Sequence, residues 1–327
     1  MRYRKILACL CALSLAGATL FTGCGTEKNA LMDMRVGSDN GRKDSMLQAG
    51  DSDYVSRELC VIPKKSQSKP KDSVMRAKAS LMINESDRKM LYSDNIYKKI
   101  YPASITKIVT AYVALKYGKL DDVVTVSYNA SHITESGATL CGFMEGDRIV
   151  MRNLLNVFLV HSGNDAGIAI AEHIAGDEAA FADLMNQEMA AVGAVHSHFV
   201  NSHGLHDNEH YTTAYDLYLI FRRLIQNETF MQIVSQGSYK TKYQGKDGKK
   251  KKMSFLSTDR YLTGRAVAPK GVKVVGGKTG TTYNAGSCLI LYSIGPDKKK
   301  YISVVAKADG GDDLYWQMNH LLAMETE

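Results

Sequence analysis

The sequence predicts an α+β fold: a mainly antiparallel five-stranded sheet built from both ends of the chain, flanked by helices. An all-helical lobe is inserted at about residues 104–235. Three observations lead there. Strand-like runs lie near residues 79–94 and again after about residue 252. Helical spacing of apolar residues dominates between them. A sheet made from both ends must bring those ends together, which leaves the helices as a lobe with a cleft where the two parts meet. The 327 residues, 45% hydrophobic and 23% charged, suffice for one large domain or two small ones.

The N-terminal segment comes first. Arg2, Arg4 and Lys5 precede an apolar run from Ile6 to about Leu20, then "LFTGCG". The run is short for a bilayer span and sits at the extreme N-terminus, so residues 1–23 read as an export signal. "FTGC" resembles a bacterial lipobox, with Phe21 in place of the usual Leu, Val or Ile. Cys24 is the candidate lipidation site, with ordinary cleavage near the same place as the alternative. Residues 24–75 are polar and poor in periodicity, and read as a tether to the outer face of the cell membrane. Within them "CVIP" is a small apolar island. The folded domain is expected over 76–327.

"ASLMIN" and "KMLYSD" flank the turn "ESDR" and read as a hairpin. "SITKIVTAYVALKYG" carries apolar residues at helical spacing and stops at Gly118. "LLNVFLV" is apolar on nearly every side and reads as a buried helix. After a break at Ser162 and Gly163, "NDAGIAIAEHIAG" is the next helix. "DEAAFADLMNQEMAAVG" starts on an acidic cap, and Thr213 with Asp216 makes a capping box for "AYDLYLIFRRLI". "VKVVGGKTGTT", "SCLILYSIG" and "YISVVAKA" read as strands, the last two as a hairpin around "PDKKK". "DDLYWQMNHLLAM" closes the chain as a helix.

"YPASITKIVTA" puts Ser104 and Lys107 three residues apart on one helix face, where they can touch. A serine hydroxyl needs a base, and a lysine can be one only if burial or another cation keeps it neutral. Alone, this spacing is also that of a surface lysine beside a serine. Two further strings change the balance. "HSGND" places Ser162 and Asn164 at a break between apolar helices, and "GGKTGTT" places Lys278 and Thr279 on a strand whose glycines allow close approach. SxxK, SxN and KTG in this order are the motif set of penicillin-binding proteins and serine β-lactamases.

From about Ala77 onward the chain resembles the low-molecular-mass penicillin-binding proteins that are serine D-alanyl-D-alanine carboxypeptidases. "YPASITKIVTAYVALKYG", "LLNVFLVHSGNDAGIAIAEHIAG", "FVNSHGLHDNEHYTTAYDL" and "GGKTGTTYNAG" carry the likeness. The resemblance implies removal of the terminal D-Ala from peptidoglycan stem peptides ending in D-Ala-D-Ala, and covalent inhibition by β-lactams. It implies Ser104 as the acylated nucleophile, Lys107 as its base and Ser162 as a proton relay to the leaving amine. Asn164 would hold the peptide, and Lys278 and Thr279 the terminal carboxylate. The N–H groups of Ser104 and Thr281, across Gly280, would form the oxyanion hole. No cofactor is expected. Alternatives on the same fold are a DD-endopeptidase, a β-lactamase or a non-catalytic wall- or β-lactam-binding lipoprotein. Against the β-lactamase, no ExxLN-like string of the class A type occurs. Many relatives add a β-rich domain and a C-terminal anchor helix, for which little chain remains after Gly280.

Other signals are weaker. His196, His198, His203, His206 and His210 crowd together, but no HExxH accompanies them, and a structural loop near the site is the expected reading. "GKDGKKKKM" is expected to be a solvated loop tip, with contact to anionic wall polymer or lipid as the alternative. It has no interleaved aromatic residues, which argues against nucleic acid. Cys9 and Cys11 fall in the leader. Cys60, Cys141 and Cys288 are too sparse for a disulfide framework and read as buried free thiols.

Overall fold

The structure is a computed structural model that describes residues 72–326. The leader, Cys24, most of the expected tether, "CVIP" and Cys60 lie outside the described residues.

The strands are β1 (Ala79–Asn84), β2 (Lys89–Asp94), β3 (Val123–Thr125), β4 (Arg148–Val150), β5 (Ser238–Gln244), β6 (Lys250–Leu256), β7 (Lys273–Thr282), β8 (Gly286–Ile294) and β9 (Lys300–Ala308). The helices are α1 (Thr106–Tyr117), α2 (Tyr128–Ser131), α3 (Met151–Val160), α4 (Asn164–Ala175), α5 (Glu178–Ala191), α6 (Ala214–Leu224), α7 (Glu228–Val234) and α8 (Gly311–Ala323). The expected five-stranded sheet is present in the order β2-β1-β9-β8-β7, antiparallel throughout.

Strand alternation builds a layer on each side of that sheet. Along β8, Cys288, Ile290 and Tyr292 pack into the helical lobe, while Leu289 and Leu291 pack with Leu314, Met318 and Leu321 of α8. β9 divides likewise, with Ile302 and Val304 on the lobe side and Tyr301 and Val305 on the α8 side. α3 is buried along most of its length, as its all-round apolar sequence requires.

The capping residues act as expected with one change. Thr213 Oγ1 accepts the Asp216 N–H at 3.0 Å, but the Asp216 carboxylate accepts the His196 N–H at 2.8 Å and the Ser197 hydroxyl at 2.7 Å. The box therefore also ties the histidine-rich loop to α6.

Two expectations need correction. A second, four-stranded antiparallel sheet exists, in the order β3-β4-β5-β6. And the lysine run is not a loop tip: residues 250–252 lie in β6, and only 245–249 form the turn, with Gly248 at φ 79°. Alternation explains both. Tyr239, Thr241 and Tyr243 of β5 and Lys251, Met253 and Phe255 of β6 are half-buried, while the residues between them face solvent. Lysines at half of the outward positions hid this pattern.

Candidate active site

Ser104 sits in a tight 3-10 turn (Ala103–Ile105) that runs directly into α1, so Lys107 falls in the first turn of the α-helix. Ala103 takes φ 48°, a left-handed conformation costly for a residue with a Cβ. Gly204, at φ 88°, backs this turn: a methyl group there would lie 1.9 Å from Ala103 O. The turn that carries Ser104 is therefore over-determined by its packing.

Lys107 is fully buried. Its Nζ lies 2.9 Å from Ser104 Oγ, 2.9 Å from Asn164 Oδ1 and 2.6 Å from the His203 carbonyl. A neutral amine has two N–H groups and one lone pair. Asn164 and His203 offer two acceptors, which aims the lone pair at the Ser104 hydroxyl. Burial drives Lys107 well below the ordinary lysine range, and the charge of Lys278 drives it further; Cys141 and Asp165 oppose this. Both conditions for a basic lysine, burial and a neighbouring cation, are met.

Ser162, at φ 72°, occupies the break between α3 and α4. Lys278 Nζ donates to Ser162 Oγ at 3.0 Å and to Thr279 O at 2.9 Å. Burial lowers the Lys278 amine to about 7, against the pull of Asp259. Asp165 fixes the facing loop, accepting from the N–H groups of Cys141 and Gly142 at 2.9 Å each. Asn164 N–H donates to Thr139 O at 2.7 Å.

Gly280 brings β7 against the Ser104 turn: a methyl group there would lie 2.8 Å from Pro102 O and 2.9 Å from the Ser104 nitrogen. A cavity of about 250 Å³ opens between them, lined by Ser104, Ser162, Thr279, Gly280 and Thr281 from the motifs. Lys107, Asn164 and Lys278 lie beneath it. Lys278 thus serves Ser162 from below and does not line the cavity.

The same cavity is lined by Thr258, Arg260 and Tyr315, none of which the sequence singled out. Thr279 Oγ1 donates to Thr258 Oγ1 at 2.6 Å. The Arg260 guanidinium pairs with exposed Asp312 at 2.5 Å and lies 5.1 Å over the Tyr315 ring. The one available signal was "STDR", four polar residues closing a strand that the lysines concealed.

The histidine-rich loop is a buttress. His210 accepts the Val200 N–H through Nδ1 at 3.2 Å, so its Nε2 donates to Thr106 Oγ1 at 2.7 Å. Burial holds His210 down at about 3 and His203 well below its usual value, so both are neutral. Among the described residues no group of three or more His, Cys, Asp or Glu is placed to hold a metal ion. Cys288 is a buried free thiol; Cys141 is free but only partly buried.

A family model for D-alanyl-D-alanine carboxypeptidases matches residues 64–310. D-alanyl-D-alanine carboxypeptidase DacD of Escherichia coli is 29% identical over 249 residues, 73% of this chain and 60% of that protein. DacF of Bacillus subtilis is 31% identical over 218 residues, 65% of this chain and 53% of that protein. The chain thus spans a little over half the length of these relatives. The solved Streptomyces K15 DD-transpeptidase superposes with a TM-score of 0.68 at 25% identity, covering 78% of this chain and 99% of that one.

Proposed function

Since the chain belongs to the D-alanyl-D-alanine carboxypeptidase family, we propose that it is a serine carboxypeptidase acting on peptidoglycan stem peptides that end in D-Ala-D-Ala. The observation that carries this reading is the fully buried Lys107 amine, 2.9 Å from Ser104 Oγ and held there by two acceptors, Asn164 Oδ1 and the His203 carbonyl.

In this reading Ser104 Oγ attacks the carbonyl carbon of the penultimate D-Ala while its proton passes to Lys107 Nζ. Negative charge develops on the carbonyl oxygen. The N–H groups of Ser104 and Thr281 are the proposed donors to it, supported by the closeness of Gly280 to the Ser104 backbone. The C–N bond then breaks. The leaving amine takes a proton through Ser162, whose hydroxyl touches Lys278. Water hydrolyses the acyl-enzyme by the reverse proton path and restores Ser104. A β-lactam ring opens by the same attack, but its amine stays tethered, so the acyl-enzyme persists.

The substrate's terminal carboxylate is assigned to Thr279 together with Arg260, which line the cavity. Lys278 contributes charge from below. We assign residues 1–23 to an export signal, Cys24 to lipidation and 24–75 to a tether, on the strength of "LFTGCG" and the polar segment that follows. A Cys24→Ala variant should then leave the membrane fraction for the soluble extracellular one; retention on membranes after a high-salt wash would rule lipidation out as the anchor.

Mass spectrometry of the purified protein with a DD-pentapeptide, and separately with penicillin, tests the activity. Loss of one alanine and a long-lived adduct on Ser104, both absent in Ser104→Ala, are expected. Rapid penicillin turnover would point to a β-lactamase instead. Cleavage confined to cross-linked dimers would point to an endopeptidase, and neither signal to a non-catalytic binder.

A further inference from the structure

The outward face of the four-stranded sheet is strongly basic. Lys240 and Lys242 on β5, Lys250 and Lys252 on β6, and Arg148 on β4 are all exposed. Register puts them on one face: Lys242 pairs with Lys252, and Gln244 pairs with both Lys250 and Arg148. No exposed position of these four strands carries a carboxylate. None of the five cations has an ion-pair partner among the described residues.

Like charges directly opposite across a strand pair destabilise it, so the Lys242–Lys252 pair is a cost that the fold carries. The contrast with the other lysines is sharp. Lys251 points inward and meets buried Asp147 at 2.9 Å. Lys246 and Lys249 at the hairpin tip lie 3.7 Å from Glu145 and 3.2 Å from Asp247. The tip is charge-balanced and only the face is not. Lysines on an edge strand do guard against edge-to-edge pairing. That accounts for β6, which is the sheet edge, but not for Lys240, Lys242 or Arg148 on the interior strands β5 and β4.

The face is also grooved. Val123, Arg148, Val150, Lys242, Gln244 and Lys250 line a recess of about 440 Å³. Successive cations along one strand are about 7 Å apart, two residues of β rise. β6 leads from this face to the catalytic cleft: Thr258 lines the cavity, and Lys252, six residues before it, lies roughly 20 Å away along the strand.

We propose that this face binds a linear phosphodiester polymer of the cell envelope, one chain running from the recess between Arg148, Lys242 and Lys250 along the face past Lys240 and Lys252. The choice of an envelope polymer rests on the cleft acting on peptidoglycan. A bilayer fits less well, because its plane would bridge the recess.

The test titrates the full-length protein with lipid-free poly(glycerol phosphate) over a range of salt concentrations. Binding should weaken steeply with salt. Replacing Lys240, Lys242, Lys250 and Lys252 together by Gln should lower affinity at least tenfold. It should also flatten the log–log salt slope by roughly 3, about 0.7 for each phosphate of a single-stranded polyanion that is no longer neutralised. Lys242→Glu is the second variant: facing Lys252, it should raise the melting temperature while weakening binding. Penicillin acylation should be unchanged in both. Wild-type affinity in both variants overturns the proposal. So does binding to phosphatidylglycerol vesicles without binding to the polymer, which would make the bilayer the occupant. If the polymer binds as described but the wild type neither cleaves peptide nor takes penicillin, the cleft reading fails and this surface remains.

Discussion

Lys107 and Lys278 are two buried amines in one wall, and the proposed mechanism needs the first neutral and the second charged. In the proposed mechanism Lys107 must be neutral to accept the Ser104 proton, so acylation should be lost as pH falls through its lowered pKa and be present above it. Lys278, lowered to about 7, keeps its charge below that value and loses it above. Acylation should therefore follow a bell, with the alkaline limb belonging to Lys278. Lys278→Met removes the cation that helps depress Lys107, so the acid limb of its residual acylation should move to higher pH; an unmoved limb would mean that the two amines are not coupled. The same variant tests stability. The unfolded chain binds the Lys278 proton up to about 10.5 and the folded chain only up to about 7, so wild-type stability rises with pH across that window. The burden is full below it, and urea midpoints should show Lys278→Met more stable than wild type at pH 6, by about 1–4 kcal/mol, with a smaller gain at pH 9. These residues were legible because each motif is a short contiguous string. What the strings did not show was direction: Lys278 supports Ser162 from beneath, a fact that only packing decides.

At the level of elements, the Ser104 turn is held by pieces with no chemistry of their own. Gly204, next to His203 in the histidine-rich loop, touches the turn before Ser104, and the His203 carbonyl holds the Lys107 amine. Gly204→Ala meets a backbone oxygen and a left-handed φ together. It should cost at least about 2 kcal/mol of stability and slow penicillin acylation more than tenfold. Gly137→Ala shares the φ penalty, at 85°, but has open space around it, so it should cost no more than about 1–2 kcal/mol. Equal losses in urea unfolding would show that the contact with Ala103 does not matter. Most helices could be read from the sequence because one face is apolar at period 3.6, and β1, β8 and β9 because they are short apolar runs buried on both faces. The second sheet was harder to see. β3 and β4 are three residues each, too short to show a period, and β5 and β6 alternate half-buried tyrosine, methionine and phenylalanine with lysine, in a run whose charge density looks like a loop.

At the scale of the whole molecule, the cleft is where distant parts of the fold converge. β7 brings Thr279, the segment after β6 brings Thr258 and Arg260, and the start of α8 brings Gly311, Leu314 and Tyr315. Sequence motifs marked the first of these alone, because the others come from distant segments that meet only after folding. A carboxypeptidase must distinguish a chain end from an interior residue, and the free carboxylate is the charge that marks it. Lys278 is buried and half-neutral near pH 7, so the permanent positive charge lining the cavity is Arg260. In the free protein Arg260 is engaged by Asp312, which is almost wholly exposed, an arrangement that a substrate carboxylate can replace. Exposed pairs are worth only about 0.2–1 kcal/mol, so Asp312→Asn should lower KM by up to about fivefold with kcat unchanged. Arg260→Leu and Thr279→Val should each lower kcat/KM by about tenfold to a hundredfold, the worth of one charge-assisted hydrogen bond. The decisive comparison is a D-Ala-D-Ala peptide against its C-terminal amide. Wild type should strongly prefer the acid, and both variants should lose most of that preference by weakening on the acid alone. If Arg260→Leu keeps the wild-type preference while Thr279→Val loses it, the guanidinium is only a rim charge and the end is read by Thr279 and Lys278. If wild type cleaves acid and amide equally well, neither residue reads a chain end, and cleavage inside cross-linked peptides becomes the better account of the cleft.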